Sequence, residues 1–240
     1  MSILGIRMDR IPPEISYPES YGLRCLEVSL PHPPTNNWWE TGYNIPVVSV
    51  CLDFLMQQRP LGSLLDMKSM DLLHEGIDWL DCKVVIPCFE EMEMPLWEEK
   101  RTRMHHILKN VFPKQAAEGK LCMEVYHPLT YVRFSPHFPI CLDLGNACTD
   151  GSCVYLDDML EVETLLLVRN TELVHLKFRH SYSFVTEPFH VQSYISPFYG
   201  NCLGSLKKWG YDGSVILEIP LLPVEDFERE IDYVKLMLQG

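Results

Sequence analysis

Gly210–Pro220 reads GYDGSVILEIP: a turn, three consecutive apolar β-formers, then a single carboxylate, Glu218, before a proline. An apolar run this short and unbroken fits a parallel strand buried on both faces. Working outward, the same pattern recurs at Ile3–Arg7, Arg24–Leu30, Pro46–Leu52, Cys82–Cys88, Lys120–Val125, Pro139–Leu142, Leu173–Lys177 and Ser214–Ile219. Between the later runs lie helical segments. Val224, Phe227, Ile231, Val234 and Leu238 step by three and four along the final segment. Such spacing makes one apolar stripe. Leu96–Val111, with Trp97, Met104, Leu108 and Val111, carries a similar face; Tyr155–Arg169 and Asn201–Gly210 are further helices, and Ser69 is the expected cap of a helix ending at Leu80. Parallel neighbours need crossovers of this kind, so the class is α/β.

Eight strands in a chain of 240 residues point to a single (β/α)8 barrel spanning 1–240, a TIM barrel with no second domain. Its N-terminal third is the exception. Pro12, Pro13, Pro18, Pro31, Pro33 and Pro34 leave room only for short or irregular helices, so reduced outer helices are expected there. Trp38 and Trp39 in this region could cover the barrel or a neighbouring copy, which leaves a homo-oligomer open.

The 47% hydrophobic content provides a large core. Twenty basic against 33 acidic residues give a net charge of −13, which disfavours a phosphate backbone and favours a small-molecule partner over nucleic acid. No apolar run is of bilayer length and MSILGIRMDRIPPE lacks the features of a signal peptide, so the expectation is a cytoplasmic protein with no membrane partner. The nine Cys, none in a CxxC pair, are then reduced core residues. GxSxG, GxGxxG and Walker A patterns are absent.

Chemistry in such barrels sits at the C-terminal ends of strands. Glu124 in LCMEVY, Asp143 in ICLDLGNA, His175 in LVHLKFRH and Glu218 in VILEIP each follow an apolar run, on four different strands. Three carboxylates and one imidazole could chelate one divalent ion: Mn, Mg, Co or Zn. Burying these carboxylates together without a cation would be prohibitively repulsive. Glu27 in CLEVSL is a further carboxylate whose role is open. His127 and Arg133 follow the Glu124 strand and could reach the mouth; Arg179 and His180, after the seventh strand, could meet an anionic or hydroxylated substrate. The aromatic-rich stretch Phe178–Tyr199 reads equally as an active-site lid or a cover for the barrel end.

The succession MEVY, CLDLGNA, HLK and GYDGSVILEIP, with YGLRCLEVSL near the beginning, resembles the xylose isomerase-like TIM-barrel superfamily. That superfamily includes sugar phosphate isomerases and epimerases, inosose dehydratases and AP endonuclease family 2. The resemblance implies one catalytic metal held by Glu124, Asp143, His175 and Glu218. It also implies that Glu124 and Glu218 exchange protons with carbon through an enediolate, in a sugar or polyol-derived ketone. Two positions depart from the family pattern: Asn146 stands where a histidine is frequent, and Phe178 follows His175-x-Lys177 where an aspartate is frequent. Asn146 and Lys177 are therefore expected in a changed substrate shell, and a non-catalytic barrel binding a metabolite or protein is the alternative. Strands three and four end in VSVCLD and VIPCFE, without the histidines of endonuclease IV, which disfavours a metal-dependent phosphodiesterase.

Overall fold

The computed structural model describes residues 3–57, 66–87, 106–125, 139–147, 161–179, 186–192 and 196–239. Eight parallel strands close a barrel: β1 (Ile3–Arg7), β2 (Cys25–Ser29), β3 (Val47–Cys51), β4 (Lys83–Ile86), β5 (Leu121–Val125), β6 (Ile140–Asp143), β7 (Thr171–Leu176) and, after a two-stranded pair of β8 (Phe178–Arg179) and β9 (Thr186–Glu187), β10 (Ser214–Leu217). β10 lies between β7 and β1 and completes the ring. All eight runs read from the sequence are barrel strands. Each is buried along nearly its whole length, so no polar alternation survives to weaken the apolar signal.

The described helices are α1 (Met67–Leu80), α2 (Pro113–Ala117), α3 (Leu144–Ala147), α4 (Glu161–Asn170), α5 (Ser196–Lys208) and α6 (Val224–Gln239). Even with the helical residues 106–111, the described residues supply fewer than eight helices around the ring. Residues 8–24 contain only 3-10 turns, and 30–46 contain no helix, as the prolines dictate. Two boundaries differ from the sequence reading. The cap of α1 is Asp66, whose carboxylate accepts the Ser69 backbone N–H at 2.7 Å; Ser69 is inside the first turn. Helix α5 begins at Ser196, ahead of the expected Asn201. Of the segment 96–111, residues 106–111 are helical and the remainder lies outside the described residues, as do residues 155–160 before α4. Trp38 and Trp39 are buried in the chain's own core, their rings against Gly76 of α1, so they cover this barrel.

The barrel interior is filled by small and sulfur-containing side chains. Cys25, Cys51, Val85, Cys122, Cys141, Leu173 and Ile216, one from each strand other than β1, form a separate apolar cluster. Gly5 occupies the β1 place, and a Cβ there would sit 2.5 Å from Cys25 Sγ and 2.8 Å from Ile216 Cδ1. Side chains two apart on a strand share a face. The residue two steps beyond each plug position therefore also points inward, one layer nearer the mouth. Those residues are Arg7, Glu27, Asp53, Glu124, Asp143, His175 and Glu218; only Pro87, after Val85, is apolar. The apolar plug thus sets the height and direction of a charged layer. Gly5→Ala, which overfills the plug, is expected to cost about 1–3 kcal/mol in a urea titration; unchanged stability would show that the interior is looser than these distances imply.

Candidate metal and proton-transfer site

The charged layer is buried although it lies at the strand ends. Arg7, Glu27, Glu124, Asp143, His175 and Glu218 are all largely excluded from solvent. Glu218 is fixed just past β10 by its backbone N–H, which donates to Leu176 O at 3.0 Å. Asp53 opens the 3-10 turn Asp53–Gln57 directly after β3. Its carboxylate accepts from Ser29 Oγ at 2.6 Å and from Cys51 Sγ at 3.1 Å.

His175 is the hub. Its Nδ1 lies 3.2 Å from Glu124 Oε1 and 3.1 Å from Glu218 Oε1, while its Nε2 lies 3.0 Å from Glu27 Oε2. The same Glu27 oxygen accepts from Ser49 Oγ at 2.8 Å. Arg7 supplies the first permanent cation, donating to Glu218 Oε1 at 2.8 Å and to Asp53, with its Nε 3.5 Å from Glu27 Oε1. Lys177 supplies the second, with Nζ 2.6 Å from Asp143 Oδ2 and 3.0 Å from Glu218 Oε2. Five carboxylates thus face two permanent cations and one imidazole.

Burial opposes the charge on His175, but Cys141, Glu27 and Glu218 outweigh it and hold the imidazole pKa well above its ordinary value. Burial would raise Glu124, yet His175 and Lys177 pull it down to about 2. Glu218 is held well below the usual carboxylate range against its own burial, by Arg7, Lys177 and His175. Asp143 goes the other way: burial pushes it up to about 7, with Glu124 and Glu218 adding to the rise and Lys177 only partly offsetting it. The thiols are inert at neutral pH; burial lifts Cys25 to about 11 and Cys141 to about 12.

The four carboxylate and histidine residues singled out from the sequence converge on shared partners, and so does Lys177. Asn146 is in α3 and Arg179 in β8, with side chains that are not described, while His127, Arg133 and His180 lie outside the described residues. Phe178, in place of a carboxylate, is buried with Phe189 and Tyr199, their ring centroids 5.1–6.2 Å apart. That part of the stretch is pinned to α6 by buried Glu230, which accepts the backbone N–H groups of Phe189 and His190 at 2.7 and 2.9 Å. These three rings belong to the core beside α6. Sequence reasoning left out Arg7 and Asp53 and gave Glu27 no role. The signal that finds all three is their position two residues after an interior plug.

Glu27, His175 and Glu218 each offer a donor atom within 4.8 Å of the others, and all three are buried. Carboxylate oxygen and imidazole nitrogen suit hard and borderline divalent ions. The excess of carboxylates over permanent cations means that a dication moves the layer toward neutrality, so the donor set fits such an ion. A cavity of about 550 Å³, lined by Lys83, Arg169, Glu172, Trp209 and Tyr211, lies at the opposite end of the barrel, by the strand starts.

No family model and no curated protein matches the chain. Solved structures do match. A sugar phosphate isomerase/epimerase from Parabacteroides distasonis aligns over 98% of both chains with TM-score 0.58 and 9% identity. A xylose isomerase-like TIM barrel protein from Mycobacterium smegmatis, in complex with magnesium, covers 92% of this chain and 85% of its own, with TM-score 0.51 and 14% identity. SacUVDE matches over 92% of this chain and 83% of its own, with TM-score 0.50 and 10% identity. The fold is a TIM barrel, similar to these structures over most of its length. At these identities the likeness is one of fold alone. No described helix is long and apolar enough to cross a membrane.

The raised Asp143 pKa has a consequence for stability. Between the unfolded value of about 4 and the folded value of about 7, the native state holds a proton that the unfolded chain has lost. Stability therefore falls as pH rises through that window. Asp143→Asn removes this loss. In metal-free protein, the stability of the variant relative to wild type should climb by up to about 1.4 kcal/mol per pH unit across the window and level off above it. Urea titrations at several pH values check this, and a pH-independent difference contradicts it.

Proposed function

We propose that the protein is a metal-dependent isomerase or epimerase acting on a small sugar or polyol-derived ketone by proton transfer through an enediolate. The observation that carries this reading is the buried meeting of Glu124 and Glu218 on one imidazole nitrogen, with Asp143 linked to Glu218 through Lys177. On this reading His175, Glu124, Asp143 and Glu218 would hold the ion. Glu27 then accepts the Nε2 proton and fixes the tautomer, as carboxylates behind metal-bound histidines do. The fold likeness to an isomerase/epimerase and to a magnesium-bound barrel supports the same assignment.

A divalent ion in this place would polarise a substrate carbonyl and stabilise negative charge on its oxygen. The protein's own groups do the proton work. One of Glu124 and Glu218 takes the proton from the carbon beside the carbonyl. In an epimerisation the other, which must carry a proton at that stage, delivers it to the opposite face; in an aldose–ketose isomerisation the proton goes to the neighbouring carbon while the hydroxyl proton there passes to the former carbonyl oxygen. Asn146, Arg179, His180 and His127 belong in this proposal to the substrate shell, meeting hydroxyl or anionic groups, and Lys177 joins them at the mouth.

The test is hydrogen exchange. Mn²⁺-loaded protein in D2O, offered a panel of ketoses and cyclic polyol ketones, is expected to introduce deuterium beside the carbonyl of at least one. Glu124→Gln and Glu218→Gln should each reduce the rate by about 100-fold or more. Absence of exchange across the panel with metal-loaded protein contradicts the catalytic reading. A binding barrel without turnover is the second reading, favoured by the simultaneous hold of Arg7, Lys177 and His175 on Glu218; it predicts ligand binding with no exchange. A phosphodiesterase of the endonuclease type is third, disfavoured by the charge of −13, and cleavage of abasic-site DNA would establish it.

A further inference from the structure

The carboxylates assigned to the metal are not waiting for a cation; one is already among them. Lys177 Nζ stands between Asp143 and Glu218 at 2.6 and 3.0 Å, and Glu124 also acts on it electrostatically. The ammonium therefore competes for two of the ligands that a divalent ion needs. It is placed there by construction. Gly145, two residues after Asp143, leaves the gap through which the lysine stem runs: a Cβ at 145 would lie 2.1 Å from Lys177 Cγ and 2.7 Å from Lys177 O. The side chain also keeps an outlet, since 14% of it is exposed while Asp143 is fully covered. Arg7 differs. It is tied to Asp53 and Glu27 as well as Glu218, so it stays in either state.

We propose that Lys177 is a resident counter-cation that a divalent ion must displace from Asp143 and Glu218, so that metal binding and release of the Lys177 ammonium toward the barrel mouth are one exchange. The proposal rests on the metal-site reading above. A dication coordinated by Asp143 and Glu218 would stand beside the ammonium that the same two carboxylates hold through Oδ2 and Oε2, and like charges so close in a buried site repel strongly. Exchange removes that conflict: the dication takes the carboxylates and the ammonium moves to solvent. The displaced amine then lies beside the site with a free positive charge, suited to an anionic or oxyanionic group of the substrate. The metal-free barrel, for its part, never holds Asp143 and Glu218 uncompensated.

Lys177→Met keeps the stem and removes the charge, while Lys177→Arg keeps the charge. A hydrogen bond to a charged group is worth roughly ten- to a hundredfold in an equilibrium constant. Mn²⁺ affinity, read by electron paramagnetic resonance of the free ion, should therefore rise by at least that factor in Lys177→Met and stay near the wild-type value in Lys177→Arg. The wild-type protein supplies a second readout that needs no variant. Acylation of Lys177 by an amine-directed reagent, followed by mass spectrometry, should speed up when Mn²⁺ is added and not when NaCl of equal ionic strength is added. Equal or weaker Mn²⁺ binding by Lys177→Met, or labelling of Lys177 that metal leaves unchanged or slows, overturns the exchange while leaving the metal site standing. Failure of all three proteins to bind Mn²⁺ overturns the metal reading and the exchange together.

Discussion

Opposite charges packed at one height inside a closed barrel govern this molecule. Arg7, His175 and Lys177 lie among Glu27, Asp53, Glu124, Asp143 and Glu218, most of them with little or no solvent contact. Ions in such a place are costly unless each finds a partner. Every one does, and several have more than one. Glu218 is engaged three times over, facing Arg7, Lys177 and His175. The arrangement depends on the layer beneath it. The cysteines, Val85, Leu173 and Ile216, with Gly5, set a dry floor on which the charged side chains stand. That floor keeps water from screening the pairs from below, and it raises the thiols so that they remain neutral.

The fold was legible because barrel strands bury both faces. Each of the eight apolar runs is short and rich in Val, Ile, Leu and Cys, so both existence and type could be read. Proline placement likewise announced the missing helices before β2 and β3. Finer detail was not legible. Asp66 and Ser69 are both good caps, and only the backbone direction into α1 decides between them. Phe178 looked like the loss of a carboxylate from the site; it is an apolar side chain turned into the Phe189–Tyr199 cluster.

The candidate site was legible in part for a related reason. Glu124, Asp143, His175 and Glu218 stood out as isolated polar residues at the ends of apolar runs. Arg7 ends β1 in the same manner, but an arginine at a strand end is ordinarily solvated, and Asp53 lies beyond Leu52 in what reads as a loop. Their inward direction follows only from strand parity, and parity is hidden when both faces are apolar. The cysteines reveal it: Cys25, Cys51, Cys122 and Cys141 each precede by two residues a carboxylate of the layer. The cations Arg7 and Lys177 also change what the site means. A quartet of ligands alone suggests a plain chelate; the same quartet holding an ammonium suggests a site in which one cation replaces another.

The direct test of this account is a double-mutant cycle between Arg7 and Glu218, with stability measured by urea titration of wild type, Arg7→Met, Glu218→Gln and the double variant. Each single change leaves a buried charge without its main partner, and costs of about 3–5 kcal/mol are typical of such losses. The account predicts that the double variant is more stable than the sum of the single losses allows, by at least about 1 kcal/mol. Additive losses would mean that the two side chains do not meet, and the charged layer described here would not exist.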